Sequence, residues 1–276
     1  MPRRQTRRDA ALGIEVMEAP LGSESVTEGR AGGGAPLGIL MLETRFPRIP
    51  GDVGNVKTWP FRVAFKVVPG ATPTAVVRDL SSFALLEPFL NAAHELEAAG
   101  AEVITTSCGF LTLFQRELQA HAKATVITSS LLQVTNVASL LPPGCRVGIL
   151  TIEASSLTRD HLRAIGVDDD AAIVIQGMEE VGGYSHHVFI DDIPEMDVDR
   201  VRREHVDAAR LLIQRHPDVG AIVLECANMP PYARAISAAT SLPVYDLVTL
   251  VTWAVMARRP PPFGGDPAGD QIIPAI

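Results

Sequence analysis

Cysteine, lysine and long apolar runs are all scarce in this chain, and each shortage excludes a class of protein. The only cysteines among the 276 residues are Cys108, Cys145 and Cys226, with no CxxC pair. So sparse and odd a set is not a disulfide framework and suits a reducing, cytoplasmic compartment. No apolar stretch reaches the roughly 20 residues of a membrane helix. The longest near the C-terminus is Leu247 to Ala257, and the Arg-rich start runs into Glu15 and Glu18 instead of a signal peptide's apolar segment. The lysines are Lys57, Lys66 and Lys123, with no phosphate-binding glycine loop beside them, so a Schiff-base cofactor such as pyridoxal phosphate is not expected. No GxSxG elbow or HExxH helix occurs. The net charge of −8 argues against nucleic-acid and anionic-membrane partners but leaves room for a small anionic substrate.

What is present is aliphatic and periodic. Hydrophobic residues make up 47% and aromatics 5%. After a Gly-rich, charged stretch at 1–35, read as a flexible tail, apolar runs of strand length alternate with amphipathic segments of helix length. Expected strands are Pro36–Leu42, Phe61–Val68, Ala101–Thr106, Ala124–Thr128, Arg146–Ile152, Ala171–Gln176, Gly220–Leu224 and Pro243–Tyr245. Expected helices are Leu80–Ala99, Phe110–Ala122, Leu131–Leu141, Ser156–Ile165, Asp197–Arg215, Tyr232–Ala239 and Leu247–Arg258. Near-continuous Val/Ile/Leu strands separated by helices indicate an α/β fold with mainly parallel sheets flanked by helices.

A repeat divides the chain. Gly38-Ile39-Leu40 recurs as Gly148-Ile149-Leu150, followed by Glu43 and Glu153 respectively. Cys108 follows one expected strand and precedes Val126 of the next by 18 residues; Cys226 follows another and precedes Val244 by the same 18. These coincidences predict two pseudo-symmetric lobes, 36–143 and 144–245, then a C-terminal helix and tail at 246–276, with a cleft between the lobes. In open α/β sheets, ligands bind beyond the carboxyl ends of the strands. Both cysteines fall there, just before a helix whose N-terminus favours a thiolate. Cys145 has no repeat partner and reads as a small buried apolar residue.

The segments Thr105-Thr106-Ser107-Cys108-Gly109 and Leu224-Glu225-Cys226-Ala227-Asn228-Met229 resemble the two cysteine motifs of the aspartate/glutamate racemase superfamily, which includes hydantoin racemases. The resemblance runs from about Pro36 to about Arg258. The stretch Glu43-Thr44-Arg45 through Pro50-Gly51-Asp52-Val53-Gly54-Asn55, with Thr58-Trp59-Pro60-Phe61, is similar to one branch of that superfamily. It implies a cofactor-independent racemase or epimerase, in which Cys108 and Cys226 exchange a proton on opposite faces of a carbon next to a carboxylate. It also implies a final helix packed on the first lobe, and it allows a homodimer. The Cys-Asn-Thr and Cys-Thr-Glu patterns of glutamate and aspartate racemases are absent, so the substrate stays open. Alternatives are a decarboxylase or cis–trans isomerase of the same superfamily, or an inactive binding protein. Decarboxylases of the arylmalonate type use one cysteine, so two favour racemisation.

Candidates for stabilising the carbanion are Ser107, Gly109, Thr128, Ser129, Ser130 and Asn228, each equally readable as a turn or cap residue. The long loop Arg45–Trp59 is placed to cover the cleft. Within it Asn55 and Thr58 are the preferred carboxylate ligands, with Arg45 and Arg48 as alternatives. Tyr184-Ser185-His186-His187 with Asp191-Asp192 has the composition of a metal site but not its spacing, and reads as a polar loop; no metal is expected.

Overall fold

The two Gly-Ile-Leu triplets lie in the central strands of two parallel sheets. The computed structural model describes residues 7–9, 13–17, 34–79, 84–168 and 172–260. The first sheet contains β1 (Arg7–Asp9), β2 (Ile14–Met17), β3 (Leu37–Met41), β4 (Val63–Val67), β5 (Val103–Thr106) and β6 (Thr125–Ile127), in the order β1-β2-β4-β3-β5-β6. The second contains β7 (Arg146–Thr151), β8 (Ile173–Gly177), β9 (Val219–Leu224) and β10 (Val244–Tyr245), in the order β10-β9-β7-β8. All pairings within β4-β3-β5-β6 and within β8-β7-β9-β10 are parallel. The same four-strand topology therefore occurs twice, in register with the sequence repeat.

Helices cover the sheets: α1 (Pro73–Arg78), α2 (Leu86–Ala98), α3 (Gln115–His121), α4 (Val134–Ser139), α5 (Arg159–Ala164), α6 (Tyr184–Ile190), α7 (Val198–Arg215), α8 (Ala233–Thr240) and α9 (Leu247–Arg258). The repeated glycine has a packing reason. A methyl at Gly148 would lie 2.6 Å from Leu212 of α7, and one at Gly38 would lie 3.1 Å from Leu96 of α2. Each glycine lets a helix seat a leucine on the strand. Both leucines are fully buried, a contribution of roughly 1.5–3 kcal/mol each. Helix α9 starts at an Asp246–Thr249 capping box and packs Leu247, Val251 and Val255 against Leu37, Ile39, Val63 and Val103 of the first sheet.

The structure departs from expectation in three places. Part of the expected tail is strand: β2 pairs antiparallel with β4, and Ile14 is buried. β1 pairs antiparallel with β2, and apart from 7–9 and 13–17 the stretch 1–33 lies outside the described residues. The expected polar loop at 184–187 is helix α6, begun at Gly183 with φ 72°. The helices expected directly after the strands start late. Gly109–Phe114 and Ser130–Gln133 are 3-10 turns that precede α3 and α4, and Pro230–Tyr232 is a 3-10 turn before α8. Phe110, Leu111 and Phe114 are all buried, so the chain leaves Cys108 through the interior, and the α-helical dipole does not begin at the thiol.

Candidate active site

The site is built from two turns with one plan. Each cysteine stands two residues beyond its strand, Cys108 after β5 and Cys226 after β9. The residue before each cysteine donates its backbone N–H to the leucine carbonyl of a Gly-Ile-Leu triplet: Ser107 to Leu40 and Glu225 to Leu150, both at 2.9 Å. The Thr106 hydroxyl ties the first turn to the carbonyls of Thr128 (2.7 Å) and Cys108 (2.8 Å), and the Ser107 hydroxyl accepts from the Leu42 N–H (2.9 Å). The thiols are therefore held by backbone geometry on both sides.

Cys108 and Cys226 are 7% and 6% exposed and line the same small cavity. Much of its wall is apolar: Leu42, Phe46, Pro73 and Val77 from the first lobe, and Ile152, Phe189 and Ile190 from the second. Thr44, Ser107, Asn228 and Arg48 supply the polar lining. Arg48 is the one cationic side chain that lines the cavity among the described residues, and no carboxylate lines it.

Arg48 belongs to a chain of bonds that reaches Cys226. Its guanidinium donates to Asp52 Oδ1 (2.8 Å) and to the Thr44 hydroxyl (3.0 Å), and it lies 4.8 Å from the Phe46 ring centre. Asp52 Oδ2 accepts from the Asn228 side-chain amide (2.7 Å), and Asn228 Oδ1 accepts from the Cys226 thiol (3.4 Å). An amide oxygen takes a bond from S–H and cannot donate one to S⁻, so this contact holds Cys226 as the neutral thiol.

Both thiols are pushed up from the ordinary range, first by burial and then by the neighbouring Glu225 carboxyl. Their remaining surroundings differ. A backbone hydrogen bond from Phe110 and the charge of Arg48 favour the Cys108 thiolate. At Cys226 the charge of Cys108 and that of Asp52 both oppose ionisation, and only the Asn228 backbone favours it. The Arg48 charge thus favours a thiolate at Cys108, and the Asp52 charge disfavours one at Cys226.

The cavity is closed by contacts between the lobes. Asp192, at φ 55°, accepts from the backbone N–H groups of Arg45 (2.6 Å) and Phe46 (3.2 Å). The Phe46 and Phe189 rings meet edge-on at 5.2 Å. Arg78 of α1 donates to Glu153 (2.7 Å), which is also bonded by Ser156 and by His186 of α6 (2.9 Å). Burial opposes the charge on Glu153, but these bonds together outweigh it and hold its pKa down to about 2. Asp192 and His186 are thus parts of a closure between lobes. Among the described residues, no group of three or more His, Cys, Asp or Glu side chains is arranged to hold a metal ion.

Five of the sequence candidates line the cavity or supply its thiols: Cys108, Cys226, Ser107, Asn228 and Arg48. The others lie behind it. Asn55 donates to the Arg48 carbonyl (2.7 Å) and accepts from the Lys57 N–H, while Thr58 donates to the Asp52 carbonyl (2.6 Å) and accepts from the Gly51 N–H. Both shape the loop that presents Arg48, the residue ranked behind them. Thr128 bonds Gln115, Ser129 caps the following turn through the Leu131 N–H, and Ser130 donates to the Leu224 carbonyl (2.5 Å) across the lobes. Gly109 packs on Glu225, leaving no room for a side chain. Sequence reasoning passed over Asp52, Phe46, Phe189 and Glu225. Glu225 had a usable signal, a carboxyl ending a run of apolar strand residues.

A profile described as Asp/Glu/hydantoin racemase matches residues 90–255. A dimethylsulfoniopropionate lyase from Durusdinium sp. clade D is 31% identical over 219 residues, covering 78% of this chain and 72% of its own length. Dimethylsulfoniopropionate lyases 7 and 6 from Emiliania huxleyi are 29% and 31% identical over 221 residues, 77% of this chain in each case, and the chain spans 64% and 57% of their lengths. Among solved structures, an aspartate racemase from Picrophilus torridus aligns with a TM-score of 0.53 at 14% identity, over 83% of this chain and 96% of that one. A mutant arylmalonate decarboxylase in a sulfate-associated form aligns at 0.51 and 14%, over 80% and 92%. Both share the two-sheet α/β fold.

Proposed function

Since the chain belongs to the Asp/Glu/hydantoin racemase family, we propose that it is a lyase that eliminates across the Cα–Cβ bond of a small carboxylate, with dimethylsulfoniopropionate as the type of substrate. The observation that carries this is the cavity wall, which offers one arginine and otherwise apolar or uncharged groups. Arg48 suits a carboxylate. An α-ammonium group would face no carboxylate there. A sulfonium has no N–H to satisfy and is content beside methyl groups and the aromatic rings of Phe46 and Phe189.

In this reading Cys108 acts as the thiolate. Its sulfur takes the proton on the carbon next to the carboxylate, forming S–H. The C–H electron pair becomes the Cα–Cβ double bond, and the Cβ–S bond breaks with its electrons on sulfur. Dimethyl sulfide leaves as a neutral molecule and acrylate remains. Charge that builds on the carboxylate as the proton leaves is met by Arg48. The step consumes no cofactor, and the leaving group needs no proton, so a second thiol need not act as an acid.

Racemisation is the second reading, favoured by both thiols facing one cavity. It calls for two groups of matched acidity, which the opposite charges beside Cys108 and Cys226 do not supply. Purified protein is to be incubated with dimethylsulfoniopropionate, with headspace sulfide and acrylate measured, and in parallel with single amino-acid enantiomers in D₂O. Sulfide and acrylate in equal amounts are expected. Loss of enantiomeric purity with deuterium at Cα, and no sulfide, would establish the racemase instead.

A further inference from the structure

Glu225 is a carboxyl that the elimination does not use, set where the two thiol turns meet. Its side chain is 0% exposed. Oε2 accepts from the Thr151 hydroxyl at the end of β7 (2.8 Å), Oε1 has no hydrogen-bond partner among the described residues, and the Ile152 backbone N–H also favours the charged form. Its backbone is covalently the start of the Cys226 turn. Its carboxyl is packed on the Cys108 turn so closely that a methyl on Gly109 would lie 2.2 Å from Oε1 and 2.3 Å from the Glu225 carbonyl oxygen. A fully buried carboxylate with so few donors is a poor anion.

We propose that Glu225 is a positioning residue for the two thiols: wedged between their turns, it holds them together, and its carboxyl, once charged, opposes thiolate formation at both. This deepens the reading of Cys108 and Cys226 as the reacting groups and rests on it. The groups that bear on the carboxyl are few. Cys226 adjoins it in sequence, Cys108 faces it from the turn after β5, and Thr151 bonds it from β7. Beyond them, Asp52 acts on Cys226 and Arg48 on Cys108 from the loop over the cleft. Burial raises the Glu225 carboxyl to about 7 even against the Thr151 bond, so it ionises within the physiological range, and its charge then opposes both thiolates.

The test needs no substrate, so it stands or falls apart from the substrate assignment. Thiolate ultraviolet absorbance and the rate of iodoacetamide labelling, mapped by peptide to Cys108 and Cys226, are followed against pH in wild type, Glu225→Gln and Thr151→Val. Glu225→Gln keeps shape and removes the charge. It is expected to label Cys108 at least about tenfold faster at pH above Glu225's own titration, a shift of at least about one unit in the thiol midpoint. Thr151→Val removes the donor that favours the Glu225 anion and is expected to shift the midpoint the same way by less, which keeps the test alive should the Gln variant fail to fold. Folded variants with an unchanged thiol midpoint, even if inactive, would reduce Glu225 to a packing role and overturn the proposal.

Discussion

Cys108 and Cys226 leave corresponding strands at the same offset, and the residue before each makes the same backbone bond, yet the charges beside them are opposite. Cys108 has the Arg48 cation and a Phe110 backbone bond, whereas Cys226 has Asp52 and donates a hydrogen bond to the Asn228 side-chain oxygen. A duplicated backbone plan therefore carries an unduplicated electrostatic one. Two-way proton exchange at a stereocentre gains from two equal thiols. Elimination of a neutral leaving group needs a single base, and the asymmetry supplies one. The polar side chains that break the symmetry come mostly from the long loop 43–59 between β3 and β4, whereas the corresponding β7–β8 connection carries helix α5.

Mutation of the thiols gives the largest test of the difference. Cys108→Ala is expected to lower kcat/KM for sulfide release by at least about 10³-fold, and Cys226→Ala by about 10–100-fold, because only the first removes the base. Steady-state headspace assays check this, with circular dichroism confirming the fold. Equal losses would restore the symmetric, two-base picture.

The residues after the thiols sharpen the comparison. The first turn has Gly109, which abuts Glu225, where the second has Ala227. Gly109→Ala drives a methyl into the carboxyl and is expected to destabilise by about 1–3 kcal/mol, seen in denaturant unfolding. The reverse change, Ala227→Gly, is expected to cost less than about 1 kcal/mol.

The buried carboxyls Glu153 and Glu225 respond to pH with opposite sign. Glu153 is held at about 2 against an ordinary value near 4.5, so the stability it adds is present above 4.5 and is lost as pH falls through about 2. Glu225 is raised to about 7, so its contribution is present below 4.5 and is lost as pH rises through about 7. Thermal melts should show Glu225→Gln flattening the neutral side of the profile, and Arg78→Ala lowering stability on the neutral side and converging with wild type in acid. The Arg78 effect is the smallest, about 1 kcal/mol or less, because the guanidinium is part-exposed.

The fold was legible because its signal is repetitive. Buried parallel strands leave unbroken Val/Ile/Leu runs, and the Gly38 and Gly148 triplets mark where helices sit closest. The thiols were legible for the same reason. Charge placement was not, since it depends on side chains from remote loops: Arg48 reaches Cys226 only through Asp52 and Asn228, 176 residues apart in sequence. Asn55 and Thr58 bond their own loop rather than lining the cavity, and a polar residue that shapes a loop and one that faces a cavity look alike without coordinates. Strand β2 was hidden in a charged stretch, since an added antiparallel strand outside the parallel core lacks the long apolar run that marks the central strands.

The most direct test of the two unlike thiols is peptide-mapped iodoacetamide labelling of the wild-type protein from about pH 6 to about pH 10, the span in which thiols ordinarily ionise, with and without dimethylsulfoniopropionate. The account predicts that Cys108 is labelled first and is protected by the substrate. Labelling of Cys226 first, or of both cysteines at one rate, would contradict it.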